Sequence, residues 1–253
     1  ADRMTAIIGS LAWAELTGGK LTFAEKLSLV RSVLKPITVN LARSWLKLDD
    51  TKALGYNEIV IPDTSLVKSA LETLEECASD TLVQHSWRTY LWGAALATLD
   101  EIPHDPELLL IGSLLHDLGA TPRHHGAHQC HCFSVDSARA ATTWAIDNQM
   151  PEERARQLAE MITLHVNGHV TIEEGAEAML LLQGAACDVI GTRYREIDPR
   201  FSKRVLDEHP RLGFNREFIA FLKNEATLRP HSRTAVLMDT GMALLIRANP
   251  FAE

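Results

Sequence analysis

The sequence predicts an all-α fold, a single helical bundle with extra helices at both ends. Three observations lead there. Apolar residues recur three and four positions apart, the period of a helix with one buried face. Alternating runs of β-branched or aromatic residues with polar ones, the mark of a half-buried strand, are short and few. No repeat, low-complexity tract or flexible linker divides the 253 residues, and a chain of this length buries roughly 70–75% of its unfolded surface without staples. Residues 1–60 are expected as a helical extension packed on a core formed by 61–253, one structural domain overall.

The elements follow in order. Amphipathic stretches at 23–34 and 37–48 flank Pro36, which is expected to separate or kink them. Residues 55–63 end in Ile-Pro-Asp and connect to a helix starting at Thr64 or Ser65. Helices are then expected at 66–79, 82–99, 106–118, 136–148, 151–165 and 172–190. Pro106 suits a first helical position, where its missing N–H costs nothing, and Asp105 before it suits an N-cap. Pro151 stands similarly ahead of Glu152 and Glu153, acids favoured at the positive end of a helix. A loop rich in His and Cys, 124–132, interrupts the series. Pro199, Pro210, Pro230 and Pro250 break the last sixty residues into shorter helices wrapped on the main body.

Composition excludes several classes. Lys plus Arg is 25 against 33 for Asp plus Glu, a net charge of −8. A general nucleic-acid binder needs a basic face to displace counterions, so no nucleic-acid partner is expected. The apolar run 108–115 is far short of the 18 or so residues that span a bilayer, so no membrane partner is expected either. Cys77, Cys130, Cys132 and Cys187 are too sparse for a disulfide scaffold. With no basic-then-apolar opening, reduced thiols and a cytoplasmic location are the expectation. The partner left is a small-molecule substrate; the sequence is also compatible with a homo-oligomer.

The chemistry begins at His116-Asp117, directly after Leu114-Leu115. Two adjacent polar side chains at the end of an apolar helix are costly to bury unless something pairs with them, and a divalent metal would. An exposed helix end stopped by Gly119 is the bland alternative. His85 shares a helix face with Leu82, Thr89 and Trp92, and Asp188 with Leu181 and Gly184, so both point inward. Two neutral imidazoles and two carboxylates carry −2, which balances a divalent cation.

The surrounding text carries a family likeness. Gln-His-Ser-Trp-Arg-Thr-Tyr-Leu-Trp-Gly (84–93), Asp-Pro-Glu-Leu-Leu-Leu-Ile-Gly-Ser-Leu-Leu-His-Asp-Leu-Gly (105–119), Phe-Ser-Val-Asp-Ser-Ala (133–138), Ala-Cys-Asp-Val-Ile-Gly (186–191) and the Arg-Pro-His-Ser-Arg-Thr stretch around Pro230 resemble the HD-domain superfamily of metal-dependent hydrolases, in its cyanamide hydratase-like branch. The resemblance runs from about Ile61 to the C-terminus. It implies one divalent metal, Zn2+ first and Fe2+ second, held by His85, His116, Asp117 and Asp188. It implies addition of metal-activated water to a small nitrile-like carbon, with cyanamide to urea as the pattern. The branch reads Phe-Glu-x-Asp-Gly-Ala where this chain has Ser134, so an acidic group is missing here.

His165 ends the 151–165 helix on the face of Leu158, Met161 and Ile162 and is assigned as proton donor or substrate contact, with Asp117 as a shuttle. A helix cap is its alternative. The loop 124–132 offers six ligand-type residues in nine. Its His125, His128 and His131 are read first as a lid over the site and second as a further metal site. Arg88 is expected to pair with Glu101 or Asp105, Asp136 to cap the helix after it, and Trp87 and Trp92 to be core. Three rivals remain: an HD-type phosphohydrolase on a nucleotide or small phosphomonoester, an HD-type di-iron oxygenase using His131 and His165, and an inactive scaffold.

Overall fold

The structure, a computed structural model, describes residues 6–45, 51–126 and 130–251. Twelve helices and no sheet are found among these residues. They are α1 (Leu11–Thr17), α2 (Phe23–Trp45), α3 (Ser65–Glu75), α4 (Asp80–Leu99), α5 (Pro106–Leu115), α6 (Phe133–Asp147), α7 (Glu152–Leu164), α8 (Ala176–Ile190), α9 (Pro199–Glu208), α10 (Phe214–Leu228), α11 (Arg233–Asp239) and α12 (Met242–Arg247). None is long and apolar enough to cross a membrane.

Local chemistry explains most of the boundaries. Ser10, Thr64, Ser79, Asp105 and Ser232 each accept a backbone N–H of the first turn that follows, satisfying a donor the helix cannot. Several boundaries differ from the sequence reading, the 66–79 helix stopping at Glu75 among them. Pro36 does not divide the first long segment; α2 runs through it. The 106–118 helix stops at Leu115 and gives way to a tight turn at Leu118–Ala120. Helix α6 starts at Phe133 rather than 136, and α8 at Ala176, because Gly175 takes a positive φ of 121° that ends the preceding turn.

The centre of the molecule is the pair α4 and α8, with α5 and α7 packed beside them. The two central helices approach closely because each carries a glycine at the crossing. A Cβ on Gly184 would lie 2.1 Å from the Thr89 carbonyl oxygen, and one on Gly93 would lie 2.9 Å from that of Leu180. That contact fixes the spacing between the helices that carry His85 and Asp188. Around it, Tyr90, Leu91, Trp92, Leu109, Leu114, Leu158, Ile162 and Leu181 form one continuous apolar core. Trp92 is fully buried there, whereas Trp87 is half-buried and stacks on His209.

The N-terminal helices lie on this core from one side. Helix α1 packs on α7 and α2 on α11, and Trp13, Leu21 and Leu29 close over Cys132 and Val135. Helices α10 to α12 pack on one another, with Ile219, Leu222 and Ile246 as their own small cluster. All four cysteines are free thiols.

Candidate metal centre

Three helices bring their side chains to one point. His85 lies in the second turn of α4, His116 caps the C-terminus of α5 with Asp117 after it, and His165 caps the C-terminus of α7. His85, His116 and Asp117 are each about 1% exposed. Ligand atoms from these three residues lie within 4.8 Å of one another, the one such group among the described residues.

The three imidazoles are oriented alike. The Nδ1–H of His116 donates to the Ser113 carbonyl at 2.7 Å, that of His165 to the Ile162 carbonyl at 2.6 Å, and that of His85 to Asp188 Oδ2 at 2.7 Å. With Nδ1 committed as a donor, a neutral ring keeps its Nε2 lone pair free. All three Nε2 atoms face Asp117: His85 at 3.6 Å and His116 at 3.3 Å from Oδ2, His165 at 3.5 Å from Oδ1. Both Asp117 oxygens are buried and have no hydrogen-bond partner. Lone pairs facing lone pairs in a buried site are unfavourable until a cation enters, and imidazole nitrogen with carboxylate oxygen is the donor set divalent transition metals prefer.

The electrostatics agree with that arrangement. Burial pushes the His116 imidazolium down to about 3, against the pull of Asp117, so the ring is neutral and available as a ligand at physiological pH. Burial alone would raise the Asp117 carboxyl, but the facing His116, His165 and His85 rings hold it well below the usual carboxylate range.

Asp188, expected as a fourth ligand, is placed differently. It stands behind His85, and its carboxylate is filled by other donors. Oδ1 accepts from Arg88 Nε at 2.7 Å, Trp92 Nε1 at 3.1 Å and Arg211 at 3.2 Å, while Oδ2 accepts from His85 and from Arg88 at 2.9 Å. The sequence reading paired Arg88 with Glu101 or Asp105; Asp105 is held by Arg154 instead, and Arg88 is wholly buried against Asp188. Burial alone would raise the Asp188 carboxyl, but Arg88, and after it His85, keep it far below its ordinary range. Phe214 of α10 stacks on the other side of the His85 ring, 4.4 Å between centroids. Sequence reasoning did not reach Arg211 or Phe214; only their place after Pro210, at the start of a wrapping helix, hinted at them.

The described part of the His/Cys loop does not converge on this point. His125 Nε2 meets the buried Glu225 carboxylate at 2.7 Å, His131 is exposed beside Gly18, and His128 lies outside the described residues. Burial, with Asp136 nearby, pushes the Cys130 thiol up to about 12, which disfavours the thiolate a zinc site would need. Asp136 is not a cap: it accepts from Arg229 at 2.8 Å and from the Gly126 N–H at 3.0 Å. The loop's described part is thus tied to α6 and α10. Ser134 accepts from Arg233 at 2.7 Å, so this fully buried guanidinium has no carboxylate partner among the described residues.

The cluster opens into a cavity of about 670 Å³. Its walls near the imidazoles are Phe133, Val166, Val189, Phe218, Leu222 and Leu237; its far rim holds Lys52, Asp100, Arg193 and Glu196.

Residues 82–200, the segment that carries His85, His116, Asp117, His165 and Asp188, match the family model of the HD domain. The segment is thus similar to the HD domain over 119 of the 253 residues. No curated protein matches the chain. The matched segment supplies His85, His116, Asp117 and His165, whereas Arg211, Phe214 and Arg233, which brace the site, come from the chain that follows it.

Proposed function

We propose that this protein is a metal-dependent hydratase, adding water across the carbon–nitrogen triple bond of a small neutral nitrile, as its likeness to the cyanamide hydratase-like branch suggests. The observation that carries the metal reading is the pair of buried, unpartnered Asp117 oxygens facing three Nε2 atoms. His85, His116 and Asp117 would hold the ion, and Asp188 would keep His85 in the ligating tautomer. Such an ion supplies Lewis acidity and a water that ionises near neutral pH.

The protein groups do the rest. Oxygen bonds to the nitrile carbon, one C–N π pair moves to nitrogen, and nitrogen must gain a proton. His165 Nε2, its lone pair free because Nδ1 is anchored, would take that proton from the attacking water and pass it on to the nitrogen. Asp117 Oδ1, 3.5 Å away, would stabilise the charged ring between the two transfers. Phe133 and Phe218 keep the surroundings apolar, which strengthens both interactions.

The cavity's charges favour a neutral substrate over a phosphomonoester. Phosphoryl transfer wants cationic groups aimed at the developing charge. Arg88 and Arg211 are spent on Asp188. At the rim, Lys52 donates to the Leu99 carbonyl and Arg193 is bracketed by Asp100 and Glu196. Of the cations near the loop, Arg123 is exposed and pairs with Glu76, and Arg229 is held by Asp136 and Glu225.

Purified protein is expected to hold about one divalent ion per chain and to convert cyanamide or a small nitrile, but no phosphomonoester, after Zn2+ or Fe2+ is restored to chelated protein. Full turnover in metal-free protein would sink the proposal, as would phosphate release without amide formation. His165→Ala should keep the ion and lose turnover by about 10²–10⁴-fold, the usual worth of a general acid. A fall in metal content instead would make His165 a ligand.

A further inference from the structure

Helix α8 is apolar on two faces. One packs on α4, where Gly184 meets the Thr89 carbonyl and Asp188 takes His85, Arg88 and Trp92. On the other side Leu182, Ala186, Val189 and Ile190 form a second stripe at helical spacing. A helix with one packed face ordinarily turns polar residues outward, and one that is apolar all round has something apolar to meet. All four stripe residues line the cavity that holds the imidazoles, and all four are half-buried, with surface left to offer. Their side chains are wholly hydrocarbon, so that surface is apolar whichever atom presents it. Phe218 of α10 and Met242 of α12 line the same cavity and are likewise half-buried.

The stripe has a direction. At one end Asp188, just before Val189, holds His85, so 189 and 190 lie at the level of the cluster. At the other, Gln183, next to Leu182, accepts from Arg193, whose partners Asp100 and Glu196 belong to the far rim. Leu182 to Ile190 covers about 12 Å of helix axis.

Volume decides what fits. At about 30 Å³ for each water, 670 Å³ is room for roughly twenty of them. A molecule as small as cyanamide would leave most of that space, and most of the apolar wall, to water. Pockets of roughly 300–1,000 Å³ hold far larger ligands. Arg193 is already satisfied by two carboxylates, so an uncharged chain end leaves no cation at the rim unpaired.

We propose that the cavity is a trough for an alkyl chain: the substrate is a neutral nitrile whose medium-length chain lies along Leu182, Ala186, Val189 and Ile190, with its reacting carbon at the cluster. The nitrile rests on the hydratase reading; the trough does not.

Calorimetry of zinc-loaded protein with acetamide, butyramide, hexanamide and octanamide tests this, an amide being the product a nitrile hydratase releases. Affinity should rise roughly fourfold per methylene, the usual worth of a buried CH2, at one ligand per chain. The kcat/KM for the matching nitriles should climb in the same way. Ala186→Phe places a ring in the trough and leaves every cluster residue in place. Its metal content and melting temperature should match wild type, while the gain beyond butyramide disappears. If that variant does not fold, Met242→Gln, of similar length but polar, should cut the gain per methylene from another wall. Wild-type affinity that does not change with chain length, or a gain that survives in every folded variant, would overturn the trough. Amide binding that follows chain length, in a protein that hydrates no nitrile, would support the trough and remove only the hydratase reading. Nitrile hydration indifferent to chain length would do the reverse.

Discussion

His116→Ala is expected to abolish metal binding and turnover together while the helical circular-dichroism signal is largely kept. The substitution takes one Nε2 from a cluster of three ligating residues, and the atoms left, His85 Nε2 and Asp117 Oδ2, are 3.6 Å apart with no third ligand closing the set. Wild-type protein should also be stabilised by its ion: at a thousandfold excess over Kd, binding to the folded state alone is worth about 4 kcal/mol. Zinc should therefore raise the wild-type melting temperature by several degrees and leave that of His116→Ala unmoved. His116 caps α5 rather than sitting in its middle, so its loss shortens no helix. Normal metal content in the variant would show that the cluster is not the ion's site.

Much of the fold could be read from the sequence because its signals are local. Asp105-Pro106 announces the start of α5, Thr64 that of α3, and the three- and four-residue spacing of Leu and Ala turns His85 and Asp188 inward. Periodicity says which face is buried. It does not say which charges meet there. Arg88 had acids within reach along the chain, yet it lies against Asp188, a hundred residues on, because the crossing at Gly184 brings α4 and α8 together. Arg211 reaches the same carboxylate from the segment before α10, and no spacing rule joins positions so far from a motif. The His/Cys loop shows the converse. Six ligand-type residues in nine resemble a metal site as text, but His125 turns to Glu225 and His131 to the surface. Pro36 failed as a break because losing one backbone N–H need not end a helix of twenty-three residues.

Asp188→Ala is expected to be the most destabilising single substitution in the site. Arg88 is fully buried and Arg211 nearly so, and Asp188 is the carboxylate both of them touch. Breaking a buried ion pair typically costs 3–5 kcal/mol, because the partner's charge is left without compensation. Here two guanidiniums are left, against a total stability of about 5–15 kcal/mol for a domain. The variant should melt far below wild type or fail to accumulate as folded protein, so on its own it cannot separate a bracing role from a ligating one. Asp188→Asn can. The amide oxygen still accepts from His85 Nδ1 and the side chain keeps its shape, but the charge that fixes the His85 tautomer is gone. Loss of such an outer partner weakens metal binding by about 10–100-fold without removing the site. Zinc titration of the folded Asn variant should therefore still reach one ion per chain, at a Kd raised by that factor. Failure to reach one equivalent at any zinc concentration, in protein whose circular dichroism matches wild type, would return Asp188 to the ligand set and displace the bracing role argued from Arg88, Trp92 and Arg211.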